Sequence, residues 1–219
     1  MSVPRYRFVF FDVDSTLVTI EGIDVLAEGN PEIVRLTGAA MNGEIPLDQV
    51  YAKRLEIIRP TRADVDALGQ RYVASLVDGA AETIAALQHG GVDVHLVTAG
   101  IAQAIAPLAE SLHIPRRAVH AVALRFDDAG NYLDFDRRSL LTRAGGKELV
   151  VRAILSRAKG RAAFVGDGVS DLETKPAVDL FIGFGGVAVR DRVRDEADAF
   201  VEEPSLRAVL PYLLETVGS

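Results

Sequence analysis

Phe8-Val9-Phe10-Phe11-Asp12-Val13-Asp14-Ser15-Thr16 is the stretch from which the rest of the chain can be read. Phe8 to Phe11 is an unbroken apolar run, which suits a strand buried on both faces of a parallel sheet. Asp12 and Asp14 follow at its carboxyl end. In an open α/β sheet that end is where ligands bind. Two carboxylates two residues apart point the same way if the strand continues, or diverge around one centre if it turns. Either arrangement gathers negative charge where folding alone does not favour it. A strand-ending turn is the competing explanation on these residues alone, since Asp and Ser are common turn formers.

The 219 residues suffice for one domain, or one domain with an insertion. A formal net charge of −7 argues against a nucleic-acid partner. There is no cysteine, which excludes disulfides and thiolate chemistry. Asp12 and Asp14 interrupt the early apolar run, so it does not read as a signal peptide. No stretch approaches transmembrane length. The expectation is a cytoplasmic protein with no membrane association, a monomer or a homodimer.

After Thr16 the pattern turns helical for some sixty residues. Asn30-Pro31 caps and opens a helix that runs to Met41 and stops at Asn42-Gly43. Pro46 opens another, with Leu47, Val50, Tyr51, Arg54 and Leu55 near one face, and Pro60 closes it. Thr61 and Asp64 form a capping-box pattern ahead of a helix with Val65, Leu68, Tyr72 and Val73, ending about Leu76. Residues 18–76 therefore read as a small helical insertion after the first strand, with 1–17 and 77–219 as the α/β core. From Asp78-Gly79 helices and strands alternate: a helix over 80–88, a strand over 92–97, a helix over 101–112. A hairpin signal lies at Asp127 to Asn131. A helix opens at Gly145-Gly146-Lys147 and reaches about Ala158. Strands follow over 162–165 and 179–182, then helices over 190–196 and 204–216.

Four polar clusters follow strands or open helices: Asp12/Asp14, Thr98, Lys147 and Asp167/Asp171. A parallel sheet brings the first, second and fourth to one edge. Three or more carboxylates there repel unless a cation sits among them, and their hardness suits Mg²⁺ with a phosphate-bearing substrate. A hydroxyl, a lysine and turn amides are phosphate-binding parts. Together they suggest phosphoryl transfer to a carboxylate.

With these elements in order, the chain resembles the haloacid dehalogenase superfamily of phosphatases, and within it the phosphoserine phosphatase branch. The resemblance rests on 12–16, Glu21-Gly22-Ile23-Asp24, Met41, Arg54-Leu55, Thr98, 145–147, 166–171 and 181–186. It implies a three-layer, doubly wound parallel sheet with a helical-bundle cap inserted after the first strand. It also implies hydrolysis of a small-molecule phosphomonoester through an aspartyl phosphate. Under it, Asp12 is the nucleophile and Asp14 the acid and base. Mg²⁺ is held by Asp12, the Asp14 carbonyl and Asp167, with Asp171 supporting. Thr98, Ala99 and Lys147 bind the phosphoryl group, and Ser170 shapes the metal loop. Glu21 and Arg54 meet the amino and carboxylate groups of the substrate, and Met41 lines the lid. The second aspartate favours a phosphatase or phosphomutase, because the dehalogenases lack a carboxylate there and the ion pumps carry Thr.

The chain departs from the family pattern at Thr98-Ala99-Gly100, where Ser-Gly-Gly or Ser-Gly-Ala is usual, and at Asn42, often glycine. If position 99 requires positive φ, alanine costs about 1–2 kcal/mol. A related phosphatase or phosphotransferase acting on another ester, such as phosphohomoserine, remains an alternative, as does a non-catalytic metabolite sensor. By base rate Arg54 and Glu21 are solvated surface residues. Gly183 to Gly186 reads as a loop, since no P-loop lysine follows. His89, His95, His113 and His120 have no ligand spacing and read as structural or surface groups. With only seven residues before the first strand, no amino-terminal regulatory domain and no serine feedback through one are expected.

Overall fold

The structure is a computed structural model that describes residues 2–216. Its centre is a six-stranded parallel sheet. Strand β1 (Ser2–Pro4) precedes β2 (Phe8–Phe11), which is buried throughout. The insertion follows as α1 (Gly22–Leu26), α2 (Pro31–Met41), α3 (Leu47–Ile58) and α4 (Arg62–Ala74). Next come α5 (Ala80–His89), β3 (Asp93–Ile101), α6 (Ala102–Ser111), β4 (Val119–Val122) and the hairpin β5 (Leu124–Phe126) and β6 (Tyr132–Phe135). The second half contributes α7 (Gly146–Leu155), β7 (Ala162–Gly166), α8 (Val169–Leu172), β8 (Leu180–Phe184), α9 (Asp191–Glu196), β9 (Ala199–Val201), α10 (Leu210–Leu213) and β10 (Leu214–Thr216). The sheet order is β4-β3-β2-β7-β8-β9. Chain order reverses beside β2, which makes its carboxyl end the switch point of the sheet.

Register fixes the site. Phe11 is level with Leu96 on β3 and with Val165 on β7. Thr98, two residues further along β3, and Asp167, just past the end of β7, therefore flank the loop that leaves β2. An aromatic row crosses the sheet below this edge: Phe10, Phe164 and Phe181 stack at 6.3 and 6.2 Å between ring centres. His95 extends the row over Phe10 at 5.3 Å, and His120 over His95 at 5.5 Å. Burial of each large ring is worth about 1.5–3 kcal/mol, so this row anchors the sheet that carries the site.

The insertion leaves and rejoins the core at one place. Val18 and Leu76 form an antiparallel bridge, Thr19 N donates to Ser75 O at 2.8 Å, and Val77 N to Leu17 O at 2.9 Å. Its helices start where the caps are. Asn30 Oδ1 accepts from Glu32 N at 3.0 Å. Thr61 and Asp64 complete both bonds of the capping box. Helix α4 lies against α6, and Gly69 permits the approach: a Cβ there would stand 3.1 Å from the Ala104 carbonyl.

Some expectations are corrected. The helix read over 204–216 is a short 3₁₀ turn at Leu206–Val209, then α10, then β10 paired antiparallel with β1. Pro211 sits in the first turn of α10, where the missing N–H does no harm, and so prevents one continuous helix from 204. Strands β4 and β9 escaped notice, being four and three residues long. Strand β3 runs on to Ile101 through an irregularity after Val97, where a helix start was expected.

Candidate active site

The chain turns sharply after β2. Leu17 N and Val18 N both donate to Val13 O, at 2.9 and 3.1 Å, and Ser15 takes φ +52°. A non-glycine residue in that region is uncommon and marks a loop held by its surroundings. The hold is visible: the Ser15 hydroxyl donates to Glu21 Oε1 at 2.6 Å, and Thr16 Oγ1 to Asp167 Oδ1 at 3.2 Å. Asp12 N is anchored to Val165 O at 3.0 Å. The turn thus sends the Asp12 and Asp14 carboxylates to different neighbours.

Asp12 faces Lys147 and the loop after β7. Lys147 Nζ lies 2.8 Å from Asp12 Oδ1 and 2.6 Å from Asp171 Oδ1. Burial pulls the lysine pKa down, but the two carboxylates outweigh it and hold it above its ordinary value. A cation in the first turn of α7 opposes the helix dipole, and this ion pair is the reason it is there. Asp171 Oδ2 accepts from Gly168 N at 2.9 Å, so both its oxygens are engaged. The Lys147–Asp12 contact is an ion pair without the directionality of a hydrogen bond, and Asp12 Oδ1 is otherwise unpartnered among the described residues.

Carboxylate oxygens of Asp12, Asp167 and Asp171 lie within 4.8 Å of one another, all buried. Burial raises Asp167 to about 6 against the lowering effect of Arg190, and raises Asp171 to about 8. An oxygen-only, acidic donor set fits a hard divalent cation. The Asp14 carboxylate is outside this cluster. Its Oδ1 accepts from Gly22 N at 2.7 Å and from the Tyr72 hydroxyl at 2.8 Å. Burial, then the Asp12 charge, raises Asp14 to about 7.

A single cavity between the sheet edge and the insertion is lined by Asp12, Asp14, Glu21, Met41, Arg54, Thr98, Ala99, Lys147 and Ser170. Asp167 and Asp171 stand behind it. Thr98 is buried and its hydroxyl accepts from Gly100 N at 3.0 Å. Ala99 is not among the positive-φ residues, so the anticipated strain does not arise; its carbonyl accepts from the Tyr51 hydroxyl at 3.0 Å. The close approach belongs to Gly100 instead, where a Cβ would stand 3.2 Å from Asp14 Oδ2. Met41 reaches the loop after β7, 3.0 Å from where a Gly168 Cβ would be.

Arg54 is not the surface residue its base rate suggests. It is 6% exposed and its Nε has no partner among the described residues. Its NH1 donates to Thr37 Oγ1 at 3.2 Å, and that hydroxyl donates to Asp24 Oδ1 at 2.7 Å. Buried donors are normally paired, so the open Nε is the exception that calls for a reason.

Arg190 was not found from the sequence. Its Nε donates to Asp167 Oδ2 at 3.0 Å, and its NH2 lies 3.8 Å from Glu21 Oε1. It belongs to no motif of the carboxylate loops. The available signal was its place at the cap of α9, a cation at a helix amino terminus where it opposes the dipole, as Lys147 does in α7.

Known proteins resemble this chain in sequence and in fold. A family model described as haloacid dehalogenase-like hydrolase matches residues 9–174. Phosphoserine phosphatase of Bos taurus is 35% identical over 199 residues, covering 89% of this chain and 88% of that protein. A solved substrate-bound phosphoserine phosphatase complex superposes with a TM-score of 0.83 at 25% identity, covering 95% of this chain and 99% of the other. A phospho-aspartyl intermediate analogue of phosphoserine phosphatase gives 0.81 at 26%, covering 94% and 98%. With most of its length matched by the family model and by a relative of this identity, the chain belongs to the haloacid dehalogenase-like hydrolase family.

Proposed function

We propose that this chain is a Mg²⁺-dependent phosphoserine phosphatase that releases serine and phosphate through an aspartyl phosphate. The observation that carries the substrate is Arg54: a buried guanidinium with an unpartnered Nε, facing the cavity that holds Asp12, Thr98 and Lys147. A phosphomonoester with a carboxylate at the far end fills both ends of that space. Glu21, which lines the same cavity, accepts the ammonium of that substrate.

Lys147 and Thr98 hold the phosphoryl oxygens while Asp12 attacks phosphorus in line with the ester oxygen. Asp14 gives that oxygen a proton as the P–O bond breaks, which is worth about 10²–10⁴-fold for an alkoxide leaving group. Serine leaves, and Asp14 takes a proton from the water that cleaves the aspartyl phosphate. Asp12 and Asp167 with the Asp14 carbonyl would hold Mg²⁺, supported by Asp171, and Ser170 shapes the loop. When bound, the ion neutralises phosphoryl and carboxylate charge. Residues 18–76 act as a cap that closes over the intermediate and excludes stray water, with Met41 on its inner face. The partner is a small molecule. Among the described residues no helix is long and apolar enough to cross a membrane, and a cytoplasmic location is part of the proposal.

Phosphate release from a panel of phosphorylated amino acids, sugars and nucleotides, with Mg²⁺ and with EDTA, tests this reading. Phosphoserine should lead the panel and EDTA should abolish release. Preference for esters without a carboxylate would sink the phosphoserine assignment and leave a different phosphatase. No release from any ester would favour the sensor.

A further inference from the structure

We infer that Tyr72, on α4 of the insertion, is a positioning residue for Asp14: it fixes one carboxylate oxygen so that the other faces the leaving group. The inference rests on the proposed acid–base role of Asp14 and adds to it a residue that supplies its geometry from outside the core.

The two oxygens of Asp14 are treated differently. Oδ1 accepts two hydrogen bonds, from Gly22 N at 2.7 Å and from the Tyr72 hydroxyl at 2.8 Å. No described residue donates to Oδ2. That oxygen borders the space at Gly100: a Cβ placed there would lie 3.2 Å from Oδ2 and 3.3 Å from Thr98 Oγ1. Thr98 is the proposed phosphoryl partner, so Oδ2 stands beside the phosphoryl site while Oδ1 is tied back. With both donors on Oδ1, the proton that passes to the ester oxygen is the one carried by Oδ2.

Gly22 gives a second, independent sign. A Cβ at this position would collide with the Tyr72 hydroxyl and crowd its ring. Position 22 therefore provides the room through which the phenol reaches Asp14, as well as one of the two N–H and O–H donors. Tyr72 is 1% exposed, so the phenol is held by packing and does not wander among solvent partners. Its ring comes from the insertion and the carboxylate from the core loop, 58 residues earlier. Seating of the insertion thereby completes the acid's hydrogen bonding, which links proton transfer to closure.

The experiment is single-turnover release of the leaving group from phosphoserine and from p-nitrophenyl phosphate, at saturating Mg²⁺. It uses wild type, Tyr72→Phe, Asp14→Asn and the double variant, with thermal unfolding to confirm folding. An aryl leaving oxygen needs little protonation, so the pair of esters isolates the acid. Tyr72→Phe keeps the ring and loses only the hydroxyl. It should slow serine release about tenfold and nitrophenol release less than about threefold. KM for phosphoserine should stay within about twofold of wild type, and the double variant should be no slower than Asp14→Asn, because Tyr72 acts through that carboxylate. Gly22→Ala, which displaces the phenol, should give the same ester selectivity. Equal losses on both esters, a change confined to KM, or multiplied losses in the double variant would overturn the inference while Asp14→Asn keeps its selectivity. If Asp14→Asn itself slows both esters alike, the acid–base reading falls and this inference with it.

Discussion

Arg54 and Asp12 make the sharpest single-residue claims. Loss of one partner of a desolvated charged contact costs about 2–5 kcal/mol. Arg54→Ala should therefore lower kcat/KM for phosphoserine by about 30- to 1,000-fold and leave p-nitrophenyl phosphate little changed, as initial rates on both will register. A similar loss on both esters would remove Arg54 from substrate recognition. Asp12→Asn should abolish turnover with the fold intact, and beryllium fluoride, which mimics an aspartyl phosphate, should inhibit the wild type. Retained turnover, after excluding deamidation, would move the nucleophile elsewhere. These residues were legible at different levels. Asp12 stands out from its strand. Arg54 on its helix pattern alone was no different from a solvated arginine; the family resemblance singled it out, and in the structure its 6% exposure and open Nε set it apart.

Helix α7 supplies Lys147 only because its start is tight. A Cβ at Gly146 would run into the Leu140 carbonyl, and Gly145 takes φ +69°. Gly146→Ala must push the helix start away from a backbone group, with an overpacking cost of about 1–3 kcal/mol. Denaturant unfolding should show that loss, and Lys147 should leave its position 2.8 Å from Asp12, so phosphatase activity should drop beyond what the stability change explains. Normal activity in a folded Gly146→Ala would mean that the helix start tolerates the shift. The helices of the insertion were readable because their caps are local: Asn30-Pro31 and Thr61 with Asp64 carry their own signals. The contact of the hairpin with the insertion was not. Arg62 N donates to Gly130 O at 2.8 Å, and Arg59 stacks over Tyr132 at 5.9 Å, between segments with no pattern in common.

The stability of the whole molecule should respond both to metal and to pH. A cation that binds only the folded carboxylate cluster stabilises it by about 2.7 kcal/mol at a hundred times its dissociation constant. For this chain length that is about 5–10 °C in Tm. Mg²⁺ should raise the melting temperature by that order and EDTA should reverse it, whereas Asp167→Ala should respond to neither. On the edge strand β4, burial and then the neighbouring His95 push His120 down to about 4. Its Nε2 sits 3.2 Å from His95 Nδ1. A histidine with a depressed folded pKa takes up its proton more readily when unfolded. The stability it preserves is complete above about 6.5 and is lost as pH falls toward about 4. Wild-type Tm should decline more steeply over that window than that of His120→Gln; parallel curves would show that the pair does not govern acid sensitivity.

What could be read from the chain was whatever is encoded within a few residues. Phe8 to Phe11 declares a two-sided strand, the caps and prolines delimit the inserted helices, and the carboxylates and Lys147 stand out because they sit where folding does not favour them. That was enough for the parallel sheet, for the helices between its first two central strands and for the gathering of carboxylates at its edge. The partnerships that finish the site join residues far apart. Tyr72 and Asp14 are 58 positions distant, Arg190 and Asp167 are 23, and β1 meets β10 from opposite ends of the chain. Each side chain on its own is an ordinary core tyrosine, helix-cap arginine or terminal segment. Hydrogen bonds and ion pairs between such groups depend on distance and orientation, which arise only when the strands come into register and α4 settles on α6.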